Sequence, residues 1–137
     1  MFTVLVVEDF ESFRQLLCTM LRTNPQIQFI TEVGDGLQAV EQARELQPDL
    51  ILTDVGLPGL NGIEAARRIK HLSPRSKLIF VSQESAPDVV REAFRAGASA
   101  YLLKTNVGGE LLAALDAVLA GQPFVGKSFD GQDLVGT

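Results

Sequence analysis

Short apolar runs alternate with helical patterns along the 137-residue chain. The runs occupy residues 3–7, 27–33, 50–53, 78–81 and 100–103. The first, third, fourth and fifth are almost unbroken in apolar side chains, as strands covered on both faces are. The second alternates, with Ile27, Phe29 and Val33 set against Gln26, Gln28 and Thr31, which predicts an edge strand with one wetter face. Between the runs, apolar residues recur at helical spacing. Phe13, Leu16, Leu17, Met20 and Leu21 make one stripe, and Leu37, Val40, Ala43 and Leu46 make a second, opened by Gly34-Asp35-Gly36. Ile63, Ala66 and Ile69 make a third. Val89, Val90, Ala93 and Phe94 make a fourth, with Pro87 in a first helical turn, where its missing N–H is harmless. Leu111, Leu112, Leu115, Val118 and Leu119 make a fifth, ending near Gly121.

Strands that alternate with helices imply crossover connections and a parallel sheet between two helical layers. The expected fold is α/β: a flavodoxin-like (βα)5 three-layer sandwich around a five-stranded parallel sheet in the order 2-1-3-4-5. Residues 1–122 form this unit. Residues 123–137 change character, with glycines and no long apolar period, and read as a linker or C-terminal tail. Phe124 and Phe129 in that tail pack either back on the domain or onto a partner.

Charge narrows the functional classes. Twelve basic against seventeen acidic residues give a net charge of −5, which disfavours a chain that grips nucleic acid by itself. No apolar run approaches the ~20 residues that span a bilayer, and no basic stretch precedes the first run as in a secretory signal. The expectation is a cytoplasmic protein that does not engage membranes. The single cysteine, Cys18, excludes an internal disulfide, and its apolar helical setting reads as a buried, inert thiol.

In an open parallel sheet, chemistry collects beyond the carboxyl ends of the strands. Glu8 and Asp9 follow the first strand, Asp54 the third, Ser82 and Gln83 the fourth, and Lys104 the fifth. Three converging carboxylates repel one another, and a hard divalent cation such as Mg2+ relieves that repulsion. A carboxylate beside such a cation, with a hydroxyl and an ammonium nearby, is an arrangement for phosphoryl transfer, because the charge on the three equatorial phosphoryl oxygens finds partners there. Asp54 is the candidate acceptor, since it ends the central strand and a glycine-containing loop follows it. Taken singly, each residue has a plainer reading. Glu8-Asp9 suits the start of a helix, Asp54 a loop, Ser82 a helix start and Lys104 the surface. What favours the chemical reading is that all of them fall directly after four separate strands. His71 reads as part of a solvated basic helix end, and Asp35 as a helix cap.

These residues resemble the receiver domain of two-component response regulators. The resemblance covers roughly residues 2–121 and rests on VLVVEDF, PDLILTDVGLPGLNGIEAARRI, LIFVSQES and AGASAYLLKT. It implies that Asp54 accepts a phosphoryl group. It implies Mg2+ held by Asp9, Asp54 and the Gly56 backbone carbonyl, with Glu8 acting through water. Ser82 would be the switch hydroxyl, Lys104 the lysine that contacts the phosphoryl group, and Tyr101 the aromatic that turns inward when the hydroxyl moves. The implied donor is a phosphohistidine of a sensor histidine kinase or a histidine phosphotransfer protein, with a homodimer on phosphorylation as a further option. The fourth helix, fifth strand and fifth helix would carry the signalling face, with Arg91, Glu92 and Arg95 on its wet side. YLLKT followed by the ELLAALDAVLAGQPF helix is similar to the NarL-like subgroup, whose output is a C-terminal helix-turn-helix domain. Glu8 stands where aspartate is commoner, Leu57 where methionine is, and Thr105 where proline is, which leaves the isomer of the Lys104–Thr105 peptide open. Gly56 places no side chain over the site, which leaves an acyl phosphate open to water. Two other readings compete. An aspartyl-phosphate phosphatase would want a second carboxylate where Gly56 stands. A scaffold that had lost the switch would not need the full residue set.

Overall fold

The computed structural model describes residues 1–135. Strands β1 (Phe2–Val7), β2 (Ile27–Val33), β3 (Leu50–Thr53), β4 (Lys77–Ser82) and β5 (Ala98–Leu103) alternate with helices α1 (Glu11–Leu21), α2 (Gly36–Leu46), α3 (Gly62–Leu72), α4 (Pro87–Arg95) and α5 (Val107–Leu119). The α/β fold with a parallel sheet is as expected, but the sheet has six strands, in the order β2-β1-β3-β4-β5-β6. The sixth strand, β6 (Phe124–Val125), adds to the far edge beside Ala100 and Tyr101. It is too short to leave an apolar period in the sequence.

Adjacent residues of each central strand feed opposite layers, as strand pleating requires. Val4, Val6, Leu50, Leu52, Ile79 and Leu102 pack under α1 and α5 with Leu17, Leu21, Leu111 and Leu115. Leu5, Val7, Ile51, Leu78, Phe80 and Tyr101 pack under α2, α3 and α4 with Ala43, Ile69 and Ala93. Burying both faces accounts for the unbroken apolar runs.

Five side chains depart from the periodic reading and are exposed: Phe29, Leu16, Leu37, Leu46 and, on α5, Leu112. Phe29 is exposed because the β1–β2 register slips by one residue between Phe2 and Thr3, so that Ile27 and Ile30 reach the core instead. Leu16 of α1 is exposed, while Cys18 is buried as expected. On α2 the buried positions are Gly36, Ala39 and Ala43, with Leu37 and Leu46 at the surface. Small residues let α2 approach its neighbours closely, which pushes the larger leucines to the flanks.

The loop after β3 is held at its far end by Asn61, whose side-chain oxygen accepts from the N–H groups of Ile63 (2.8 Å) and Glu64 (3.2 Å) and caps α3. Gly62 donates to the Val55 carbonyl at 2.8 Å and lies so close to β3 that a Cβ there would fall 1.7 Å from the Asp54 carbonyl oxygen. The glycine thus permits the approach of backbone to backbone. Gly62→Ala is expected to cost about 1–3 kcal/mol, the usual range for overpacking. Urea unfolding followed by far-UV circular dichroism measures it, and an unchanged midpoint would show that the loop simply yields.

Candidate functional site

All four sequence-predicted strand ends meet on one rim of the sheet. Val7 of β1 pairs with Thr53 of β3, so Glu8 and Asp54 emerge side by side. Glu8 is buried at 1% exposure and Asp54 at 7%, while Asp9 is exposed. Carboxylate oxygens of Glu8, Asp9 and Asp54, one from each, lie within 4.8 Å of one another. The Lys104 ammonium reaches in from the end of β5, 2.7 Å from Glu8 Oε1 and 2.9 Å from Asp54 Oδ2. The Lys104–Thr105 peptide is trans.

The remaining oxygens are held by backbone. Asp54 Oδ1 accepts from the Val55 N–H at 2.7 Å and, at 3.4 Å, from that of Gly56. Glu8 Oε2 accepts from the Phe10 N–H at 2.9 Å, where α1 begins. Above these groups opens a cleft of about 640 Å³, lined by Asp9, Phe13, Asp54, Gly56, Gln83 and Lys104 among others. A Cβ on Gly56 would meet nothing within 4 Å, so the cleft is open on that side.

Ser82 and Tyr101 form a second group, joined through the loop after β4. Ser82 is buried, and its Oγ accepts from the Glu84 N–H at 3.1 Å. The Tyr101 hydroxyl donates to the Glu84 carbonyl at 2.7 Å. The Tyr101 ring is fully buried, stacked on Phe80 with ring centres 5.9 Å apart. Burial pushes its phenol up to about 12.

Two contributors escaped the sequence reading. The Phe13 ring lies 4.8 Å from the Lys104 ammonium, a cation–π distance, and so helps to aim it. Arg14 donates to the Glu8 carbonyl oxygen at 2.9 Å and pairs with Glu32 of β2 at 3.2 Å, pinning the start of the acidic pair. A helical signal for Phe13 existed. It stands in the first turn of α1, just after the acidic pair, and lines the cleft with Asp9. Arg14 left none, because its partner lies on another strand.

The donor set suits a hard divalent cation, since it is all carboxylate oxygen and gathers three acids of which one lysine pairs with two. Burial raises the Glu8 carboxyl above its usual range, an effect that the hydrogen bonds from Lys104 and Phe10 oppose without cancelling. Burial also acts to lower the Lys104 ammonium, but its bonds to Glu8 and Asp54 outweigh burial and raise it. Among the described residues, no helix is long and apolar enough to cross a membrane.

The raised Glu8 carboxyl carries a sign for stability. Its folded form holds a proton more tightly than the unfolded chain does, so the associated stability is present in acid and lost as pH rises through the folded-state value. Without divalent cation, Glu8→Gln is therefore expected to unfold at a higher temperature than the parent at pH 7. The gap should close as pH falls toward the ordinary carboxylate range. Thermal melts across that pH series check it, and a lower midpoint for the variant at pH 7 would contradict the sign.

Comparison with known proteins places this geometry in a family. Residues 4–116 match the response regulator receiver domain. The chain is similar to the transcriptional regulatory protein LiaR of Bacillus subtilis, 36% identical over 134 residues, covering 98% of this chain and 64% of LiaR. It is also similar to the nitrate/nitrite response regulator protein NarL of Escherichia coli, 32% identical over 120 residues, covering 88% of this chain and 56% of NarL. It therefore spans less than two thirds of the length of these curated relatives. Among solved structures, a LuxR-family two-component response regulator from an Aurantimonas species superimposes with a TM-score of 0.87 at 28% identity, covering 93% of this chain and 91% of that one. The response regulator domain of Thermotoga maritima CheB does so with a TM-score of 0.77 at 34% identity, covering 84% of this chain and 93% of that one. The matched stretch takes in the three carboxylates and the lysine alike, and the chain belongs to the response regulator receiver domains of two-component systems.

Proposed function

We propose that this chain accepts a phosphoryl group on Asp54 from a phosphohistidine of a sensor histidine kinase or a histidine phosphotransfer protein, and that esterification switches its interaction surface. The observation that carries the reading is the Lys104 ammonium shared between Asp54 and Glu8 at the floor of an open acidic cleft. A lone pair of an Asp54 carboxylate oxygen forms the new P–O bond. The P–N bond of the donor breaks, and its electron pair stays on the imidazole. Lys104 is placed to neutralise one phosphoryl oxygen, and the backbone N–H groups beyond Asp54 are near enough to serve another.

Asp9, Asp54 and the Gly56 carbonyl would hold Mg2+, with Glu8 contributing through water. The cation would supply further neutralisation of the transferring group. The absence of a side chain at Gly56 leaves the acyl phosphate accessible to water. Glu84, exposed at the neighbouring loop, would modulate its lifetime instead. Residues 1–122 serve as the phosphoacceptor unit and 123–137 as its tail, in the cytoplasm with the kinase. The signal passes to a partner, to a second copy of the domain, or to a DNA-binding output domain of the kind that the name of LiaR, a transcriptional regulatory protein, suggests.

Incubation with acetyl phosphate and Mg2+ is expected to add the mass of one phosphoryl group to the intact chain. Asp54→Asn should abolish the gain, and Lys104→Ala should slow it by about two orders of magnitude, the scale of losing a group that neutralises developing charge. Intact-protein mass spectrometry reads both. Labelling that persists in the Asp54 variant would remove this reading.

A further inference from the structure

The tail is stitched to the domain on three sides. Beyond the edge pairing of β6 with β5, the Gly126 N–H donates to the Tyr101 carbonyl at 3.1 Å. Glu110 of α5, buried at 8% exposure, accepts from the Lys127 N–H at 2.7 Å through Oε2. Asn106, just before α5, donates to Ser128 Oγ at 2.8 Å. Arg91 of α4 reaches the Asp133 carbonyl at 3.5 Å. Two apolar side chains then close over the sheet edge: Phe129 at 3% exposure and Leu134 at 1%, both in the apolar cluster that holds Tyr101, Val90 and Ala93.

Phe129 sets its ring edge against Tyr101, with centres 5.9 Å apart and planes at 85°. Tyr101 is thus clamped between Phe80 on one side and the tail on the other. From Tyr101 a hydrogen-bonded path runs inward: hydroxyl to the Glu84 carbonyl, then Glu84 N–H to Ser82 Oγ at the tip of β4. The strand tips on either side of β4 carry Asp54 and Lys104.

We propose that residues 124–134 act as a strap whose docking, through Phe129, holds Tyr101 inward and thereby favours the phosphorylated form of Asp54. The proposal rests on the phosphoacceptor reading above and adds a positioning residue to it. The physical reason is linkage. If the loop carrying Glu84 has two positions, and both the strap and a phosphoryl group at Asp54 favour the one seen here, each must strengthen the other by the same factor. Phe129 touches none of the reacting groups and acts only through Tyr101.

The composition provides an internal reporter, because Tyr101 is the only tyrosine and the chain has no tryptophan. Beryllofluoride with Mg2+, a non-covalent stand-in for the phosphoryl group, can be titrated against the 137-residue chain while tyrosine fluorescence is followed. Phe129→Ala is expected to weaken beryllofluoride binding by about tenfold, within the usual 5–150-fold span of such couplings. Phe129→Leu should restore most of it. In the parent chain, beryllofluoride should slow hydrogen exchange at the Gly126 and Lys127 amides, a readout that needs no variant to fold. The proposal is overturned if those amides exchange at the same rate with and without beryllofluoride. It is equally overturned if a folded Phe129→Ala protein binds beryllofluoride as tightly as the parent or more tightly. Acetyl phosphate serves as the separate control. If the parent chain gains no phosphoryl group at Asp54, the phosphoacceptor reading itself fails and the strap proposal falls with it. Labelling at Asp54 with no response of the strap defeats the strap alone.

Discussion

One ammonium stands between two carboxylates, and much of the molecule serves to put it there. Lys104 leaves the end of β5 and reaches Glu8 at the end of β1 and Asp54 at the end of β3. Glu8 is out of water, and its ionised form depends on that lysine. The ammonium is compensated twice over, and Asp54 still partners it when Glu8 is neutral. The bridge is therefore structural as well as chemical: it ties three strand ends together while keeping a carboxylate at the floor of an open cleft. Phe13 below the ammonium and Arg14 behind Glu8 keep both ends of the bridge in place.

The sheet makes this economical. Its central strands are sealed on both faces by helices, so polar side chains have no outlet except at the strand ends. Parallel strands present the same end to the same rim, and residues distant in sequence arrive together without any local motif. Burial, with a smaller push from Asp54, makes the ionised Glu8 costly at that rim, as its raised carboxyl indicates. That is the condition under which a divalent cation, and in the proposed function a phosphoryl group held with it, would be welcome.

A second set of contacts lies beside the first. Ser82, Glu84 and Tyr101 link the β4 tip to the sheet edge, and β6 with Phe129 closes that edge. The two sets share the strand ends but not their side chains. In the proposed function, that separation would let one set hold charge while the other responded by changing its packing. The tail belongs to the second set, since it buries Phe129 and Leu134 against the domain.

The order of elements, the parallel sheet and the gathering of Glu8, Asp9, Asp54 and Lys104 at one rim were legible in the sequence. Unbroken apolar runs arise only when both faces are covered, and polar groups directly after such runs must fall at strand ends. The stripe of α3, with Ile63, Ala66 and Ile69, was legible for a different reason: apolar residues three and four apart share one helix face. What escaped depends on distance rather than pattern. The slip that exposes Phe29, the small-residue approach that turns Leu37 and Leu46 outward, and the pairing of Arg14 with Glu32 are settled between elements. So is β6: two residues have no period, and they become a strand only because β5 offers an unpaired edge beside them. Sequence alone determined which chemical groups gather at the rim, because local apolar patterning dictates where each strand stops. Only the tertiary structure decided which oxygen meets the ammonium and where the tail lies, because those contacts join residues that share no local register.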